Sequence, residues 1–117
     1  VIRILASAAI VSAGLAGLAV PSQAQAQFFI TGSQLAKACA SHATRDESAC
    51  DGYIAGALDV VQATPDLKAQ ICPPAKVKLS TLREAVGNYG QRKPDDAKGS
   101  GIALIQAMLK ANYPCQK

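Results

Sequence analysis

Apolar and polar positions follow two different rhythms along this chain. From Ile4 to Val20 almost every residue is Ala, Ile, Leu, Val or Gly, and Arg3 is the only charge before Lys37. Pro21 ends the run, and Ala24-Gln25-Ala26 supplies the small-x-small pattern that a signal peptidase reads, which places cleavage after Ala26. The run approaches the lower length limit of a membrane-spanning helix. Its Ala and Gly content makes it only mildly apolar, however, and no basic stop-transfer cluster follows. Residues 1–26 therefore read as an export signal, and residues 27–117 as a single mature domain with no membrane segment of its own.

Beyond the leader the apolar residues recur at three- and four-residue steps, the period of an amphipathic helix. Four helices are predicted. The first spans about Gly32 to Ser41, with Thr31 or Ser33 as its cap. The second starts near Asp46, gathers Cys50, Tyr53, Ile54, Ala57 and Val61 on one face, and stops at Thr64-Pro65. Gly52 and Gly56 lie one turn apart on it. Each costs about 1 kcal/mol of helix propensity, which suggests that another backbone packs closely there. A loop through Pro73-Pro74 leads to a third helix with the stripe Leu79, Leu82, Val86 and Tyr89, for which Gly90 is a natural stop. Thr81 and Glu84 offer a capping box. If the helix instead opens at Leu79, the cap falls to Lys78, a poor capper. Gln91 to Gly101 reads as a polar loop. The last helix carries Ile102, Ile105, Met108 and Leu109 and ends at Asn112. No strand pattern is convincing, so the expected fold is an all-α bundle of about four helices.

Cysteine usage changes this picture most. Cys39, Cys50, Cys72 and Cys115 all lie in the mature part, and an even count behind an export signal reads as two disulfides in an oxidising compartment. Three pairings are possible. Cys39–Cys50 with Cys72–Cys115 is favoured because each bond then staples neighbouring helix ends. For so small a domain such staples matter, since the core alone gives marginal stability. The mature charge is mildly basic, eleven Lys or Arg against eight Asp or Glu, scattered and without aromatic interleaving. Nucleic-acid binding gains no support from this.

The residues offer little chemistry. His42 is the only histidine and reads as a solvated connector residue. A Cys–His nucleophile pair needs a free thiol, and a zinc site needs closely spaced thiolates; neither fits paired, widely separated cysteines. Asp46 reads as a helix N-terminal charge and Asp95 as a solvated loop residue. Asp59 either pairs with a Lys or Arg of another element or faces water. No catalytic constellation, metal or cofactor is expected, and the chain reads as a binding protein and not an enzyme.

A longer pattern then emerges. Gly32-x-x-Leu35-x-x-x-Cys39 is followed by Cys50-Asp51-Gly52-Tyr53-Ile54-Ala55-Gly56-Ala57-Leu58-Asp59, then Cys72-Pro73, Val77, Leu82, Val86, Tyr89 and Pro94, and finally Tyr113-Pro114-Cys115. This resembles the Rap/Tai-type immunity proteins of bacterial type VI secretion over nearly the whole mature chain. The resemblance implies a periplasmic helical protein, often a homodimer, that neutralises a peptidoglycan-cleaving amidase by covering its active site with a protruding element. The matching positions Gly52, Tyr53, Gly56, Asp59, Pro73, Tyr89 and Pro114 are mostly scaffold. Two positions depart from the family: Lys78 stands where a capping Ser or Thr is usual, and Gly90 where an apolar residue follows the Tyr.

An inhibitor of this kind needs a rigid scaffold and an exposed loop, because rigidity lowers the ordering cost of association. Gln91 to Ser100 is the first loop candidate for partner contact, through Arg92, Lys93, Asp95, Asp96 and Lys98. Thr64 to Gln70 is the second, through Asp66 and Lys68. The competing functions are a small periplasmic stress chaperone and a family scaffold without a cognate toxin. An acid-triggered chaperone needs many carboxylates to protonate, and eight acidic residues under a basic net charge suit that role poorly.

Overall fold

Thr31 opens the first helix. The computed structural model describes residues 27–116 together with the isolated Gly14 and Gly17; the leader read from residues 1–26 otherwise lies outside the described residues. The Thr31 hydroxyl accepts from Gln34 N–H at 3.2 Å, and the Gln34 side chain accepts from Thr31 N–H at 2.9 Å. This reciprocal box fixes the start of α1 (Gly32–Ala40). Then follow α2 (Thr44–Ala63), α3 (Pro65–Gln70), α4 (Leu79–Arg92) and α5 (Gly101–Asn112). Among the described residues there is no strand, only the isolated bridges Thr31–Ser100 and Ile71–Pro114. No described helix is long and apolar enough to cross a membrane.

The all-helical expectation holds, with differences in detail. The second helix begins at Thr44, before Asp46, with Asp46 and Glu47 complementing the positive end of its dipole. The segment Thr64 to Gln70 is no loop: Pro65, whose fixed φ suits a first helical turn, starts the short helix α3. The capping box of Thr81 and Glu84 does not form, and α4 opens at Leu79 behind Lys78, whose side chain makes no capping bond. Leu79 itself stays 39% exposed.

The core is a single cluster in which Leu35, Ile54, Val61, Ile71, Leu82, Val86, Leu104, Ile105, Met108 and Leu109 are at most 2% exposed. α1 packs on α2, α4 and α5. Its tightest neighbour is α4, and glycine is the reason. A Cβ added at Gly87 would stand 3.2 Å from the Ala40 backbone nitrogen, and one added at Gly90 would stand 2.5 Å from the Ala36 Cβ. Gly90 is therefore not a helix stop. It has no positive φ, and α4 continues through it to Arg92 because the missing side chain makes room for α1.

Gly52 and Gly56 behave in the opposite way to the sequence expectation. Both are exposed on the outer face of α2, and an added Cβ would meet nothing within 4 Å at either. Among the described residues no second backbone packs there. The inner face of α2 is instead formed by Cys50, Ile54, Ala57 and Val61, all buried, with Tyr53 half-buried at its margin.

The cysteines pair as Cys39–Cys50 and Cys72–Cys115, the favoured arrangement. The first joins α1 to α2 inside the core. The second ties the residue after α3 to the tail after α5, beside backbone bonds from Cys72 N–H to the Tyr113 carbonyl at 2.8 Å and from Cys115 N–H to the Gln70 carbonyl at 3.2 Å. In the chain-entropy account these loops stabilise the fold by about 3 and about 4 kcal/mol.

The two glycine pairs predict opposite mutational responses. Gly90→Ala should destabilise the domain by about 1–3 kcal/mol through overpacking against Ala36. Gly52→Ala and Gly56→Ala should each stabilise by about 0.5–1 kcal/mol through helix propensity alone. Urea unfolding followed by circular dichroism reads both signs.

Candidate functional site

The segment after α4 is held by two other elements. Lys93 to Lys98 winds through consecutive turns, with Asp96 N–H donating to the Lys93 carbonyl, Ala97 N–H to Pro94 and Lys98 N–H to Asp95. Ala97 is only 2% exposed and lies on Gly32, where an added Cβ would come within 2.7 Å of the Ala97 backbone. The Gly32 and Ser33 amides, at the start of α1, donate to the carbonyls of Gly99 and Ala97, each at 2.9 Å. The first amides of a helix have no partner within it. Here the loop supplies those acceptors, so the helix N-terminus and the loop order each other.

Tyr89 adds a third tie. Its ring is buried from α4, and its hydroxyl donates to Asp96 Oδ2 at 2.6 Å. That hydrogen bond, helped by burial and the Asp96 charge, raises the phenol above its ordinary value near 10; Arg92 opposes the shift. Asp96 is thus a loop anchor. Arg92, Lys93, Asp95 and Lys98 remain exposed, with Asp95 and Lys98 in an ion pair at 2.7 Å. So open a pair contributes little to stability. The result is a charged surface loop on a fixed backbone.

The other predicted residues lie elsewhere. Asp66 and Lys68 are exposed on α3, which docks on α2, so they share no element with Arg92 or the Lys93–Lys98 loop. Asp59 faces water on α2 and makes no ion pair among the described residues. Pro73 follows the second disulfide, and Pro114 forms the bridge to Ile71.

An open polar cleft of about 430 Å³ lies where the α1–α2 connector meets α4, bounded by His42, Glu47, Ser80, Arg83, Glu84 and Asn88. Its floor is organised by Arg83, missed in the sequence. Nη1 lies 2.9 Å from Glu47 Oε1, and Nε lies 3.1 Å from Asp51 Oδ1. The second approach is a charge contact outside hydrogen-bond geometry, although both atoms are buried. Glu47 and Asp51 stand one turn apart on α2, which is legible in the sequence; their partner on α4 is not. Among the described residues no group of three or more His, Cys, Asp or Glu side chains is placed to hold a metal ion.

Residues 31–115 match the family model of Rap1a immunity proteins. The chain belongs to the Rap1a immunity protein family. The match begins at the α1 cap and ends at the cysteine that closes the second disulfide, so it covers the whole helical bundle. No curated protein and no solved structure among those compared matches the chain. Membership in an immunity family makes binding of a protein effector the work of this scaffold, and such families are generally non-enzymatic.

The Tyr89–Asp96 bond predicts an alkaline loss of stability. A raised folded value means that the neutral phenol stabilises the fold fully below the unfolded value near 10. That contribution disappears as pH rises through the folded value, when phenolate faces Asp96. Tyr89→Phe should cost about 1 kcal/mol at neutral pH and flatten the alkaline limb in melting curves taken from pH 8 to 11.

Proposed function

We propose that this Rap1a-family protein is an exported, periplasmic immunity protein that neutralises a peptidoglycan-cleaving amidase by covering its active site. The observation that carries this reading is the family match across the entire bundle, residues 31–115. Two disulfides and the apolar leader support an oxidising compartment outside the cytoplasm. The covering element is the Lys93–Lys98 loop together with Arg92 at the end of α4. Its backbone is already ordered by α1 and Tyr89, so binding loses little conformational freedom. Arg92 and Lys93 offer guanidinium and ammonium groups to an acidic rim around a target cleft. The homodimer implied by the sequence resemblance would close on the shallow apolar groove of Ser48, Ala49, Gly52, Tyr53, Gly56 and Ile102. A monomer in light scattering at micromolar concentration would rule that assembly out.

A pull-down with tagged mature protein from periplasmic extract, run at neutral and acidic pH, tests the main proposal. One stoichiometric partner at neutral pH, an amidase silenced in the complex, is the expected outcome. Many weak clients captured only in acid would instead establish a chaperone. With the partner in hand, Arg92→Glu combined with Lys93→Glu should weaken binding by about tenfold or more. Asp59→Asn, on another face, should leave it unchanged.

A further inference from the structure

The two disulfides differ sharply in access. Cys39 is 5% exposed and Cys50 is fully buried, whereas Cys72 is exposed and Cys115 half-buried. The polar cleft touches Cys39 but leaves it almost covered. Thiol–disulfide exchange needs a thiolate to reach one sulfur in line with the bond, so access selects which bond reacts. We propose that Cys72–Cys115 is a thiol-exchange site, opened in the folded protein by a dithiol reductant of the thioredoxin-like class while Cys39–Cys50 stays closed. The inference is independent of the effector's identity.

The surroundings make this opening local. The bond joins two chain ends at the periphery, the residue after α3 and the tail after α5. α3 buries no residue of its own. Beyond the disulfide, this corner is held by the buried side chain of Ile71, by Leu67 and Tyr113 packed half-buried against the core, and by the backbone bonds around Tyr113 and Cys115. Exposing Cys39–Cys50 would instead require α1 to part from α2 inside the core. In the exchange, a reagent thiolate bonds to the sulfur of the more open Cys72 and expels Cys115 as thiolate. The reagent's second thiol then displaces Cys72. Two electrons and two protons pass to the cysteines, and the reagent leaves as its own disulfide. The oxidised bond keeps α3, with Asp66 and Lys68, in one position; the reduced pair frees it together with residues 113–116.

The test uses the mature chain, residues 27–117, in graded dithiothreitol at neutral pH, with aliquots quenched by iodoacetamide and mapped by peptide mass spectrometry. The first product should carry alkylated Cys72 and Cys115 with Cys39–Cys50 intact, appearing about tenfold faster or more than any opening of the buried bond. Its rate should rise linearly with reductant, as direct attack on the folded protein requires. Simultaneous opening of both bonds, Cys39–Cys50 opening first, or a rate that saturates with reductant would overturn the proposal. Hydrogen exchange on the singly reduced protein gives a second reading. Loss of protection confined to α3 and residues 113–116 supports it, and loss throughout α1, α2 and α4 refutes it.

Discussion

The approach of α1 to α4 is the contact on which the rest of this structure depends. α1 has only nine residues, too few to persist as an isolated helix in water. It survives because Ala36 and Ala40 meet Gly87 and Gly90 with almost no side-chain volume between the two backbones. Close packing there aligns the larger apolar residues, Leu35 from α1 with Leu82 and Val86 from α4, into the common core. It also sets where the end of α4 delivers the chain. That end carries the charged loop back over the start of α1, where the loop's carbonyls receive the first helical amides.

Covalent bonds then reinforce what packing has arranged, in two different ways. Cys39–Cys50 sits inside the bundle and holds α1 against α2 next to the Arg83 contacts with Glu47 and Asp51. Cys72–Cys115 lies at the margin and holds down a corner whose one fully buried apolar side chain is Ile71, since α3 itself buries none. A domain of this size has a limited interior, so central and marginal staples divide the task of keeping the whole chain ordered. The consequence for binding is a scaffold with fixed loop backbones and free charged tips, which suits recognition of a protein surface. The cleft gathers Ser41, Ser80 and His42, but among the described residues no hydrogen bond joins a serine hydroxyl to the imidazole, and the family is one of immunity proteins.

Gly52 and Gly56 show how far sequence reasoning reaches. Paired glycines in a helix do signal that something unusual occurs in a bundle, and a close backbone contact does exist here. It is made by Gly87 and Gly90 on α4, while Gly52 and Gly56 face open space. Nothing local separates the two pairs, since both stand at helical spacing beside an apolar stripe. The charged loop shows the same limit. Arg92, Lys93, Asp95 and Lys98 are legible as exposed from their polarity, but nothing local separates Asp96 from them, because its bond to Tyr89 exists only in the folded chain.

What the sequence determined by itself was much of what local periodicity and covalent chemistry govern, although the Thr81–Glu84 box and the Gly90 stop do not form. That comprises the helical class, most of the inner faces of α2, α4 and α5, a cap at Thr31 or Ser33, the stop at Thr64-Pro65 and the favoured disulfide pairing. These follow from 3.6-residue repeats, side-chain capping and proximity along the chain, which need no knowledge of the partner helix. Tertiary structure alone decided which glycines admit a neighbouring backbone, that Arg83 joins two carboxylates on α2, and that the Gln91–Ser100 segment is tied to α1. It also decided which disulfide faces solvent. Each of these depends on a distance between segments far apart in sequence, and such distances exist only once α1 has found its place against α4.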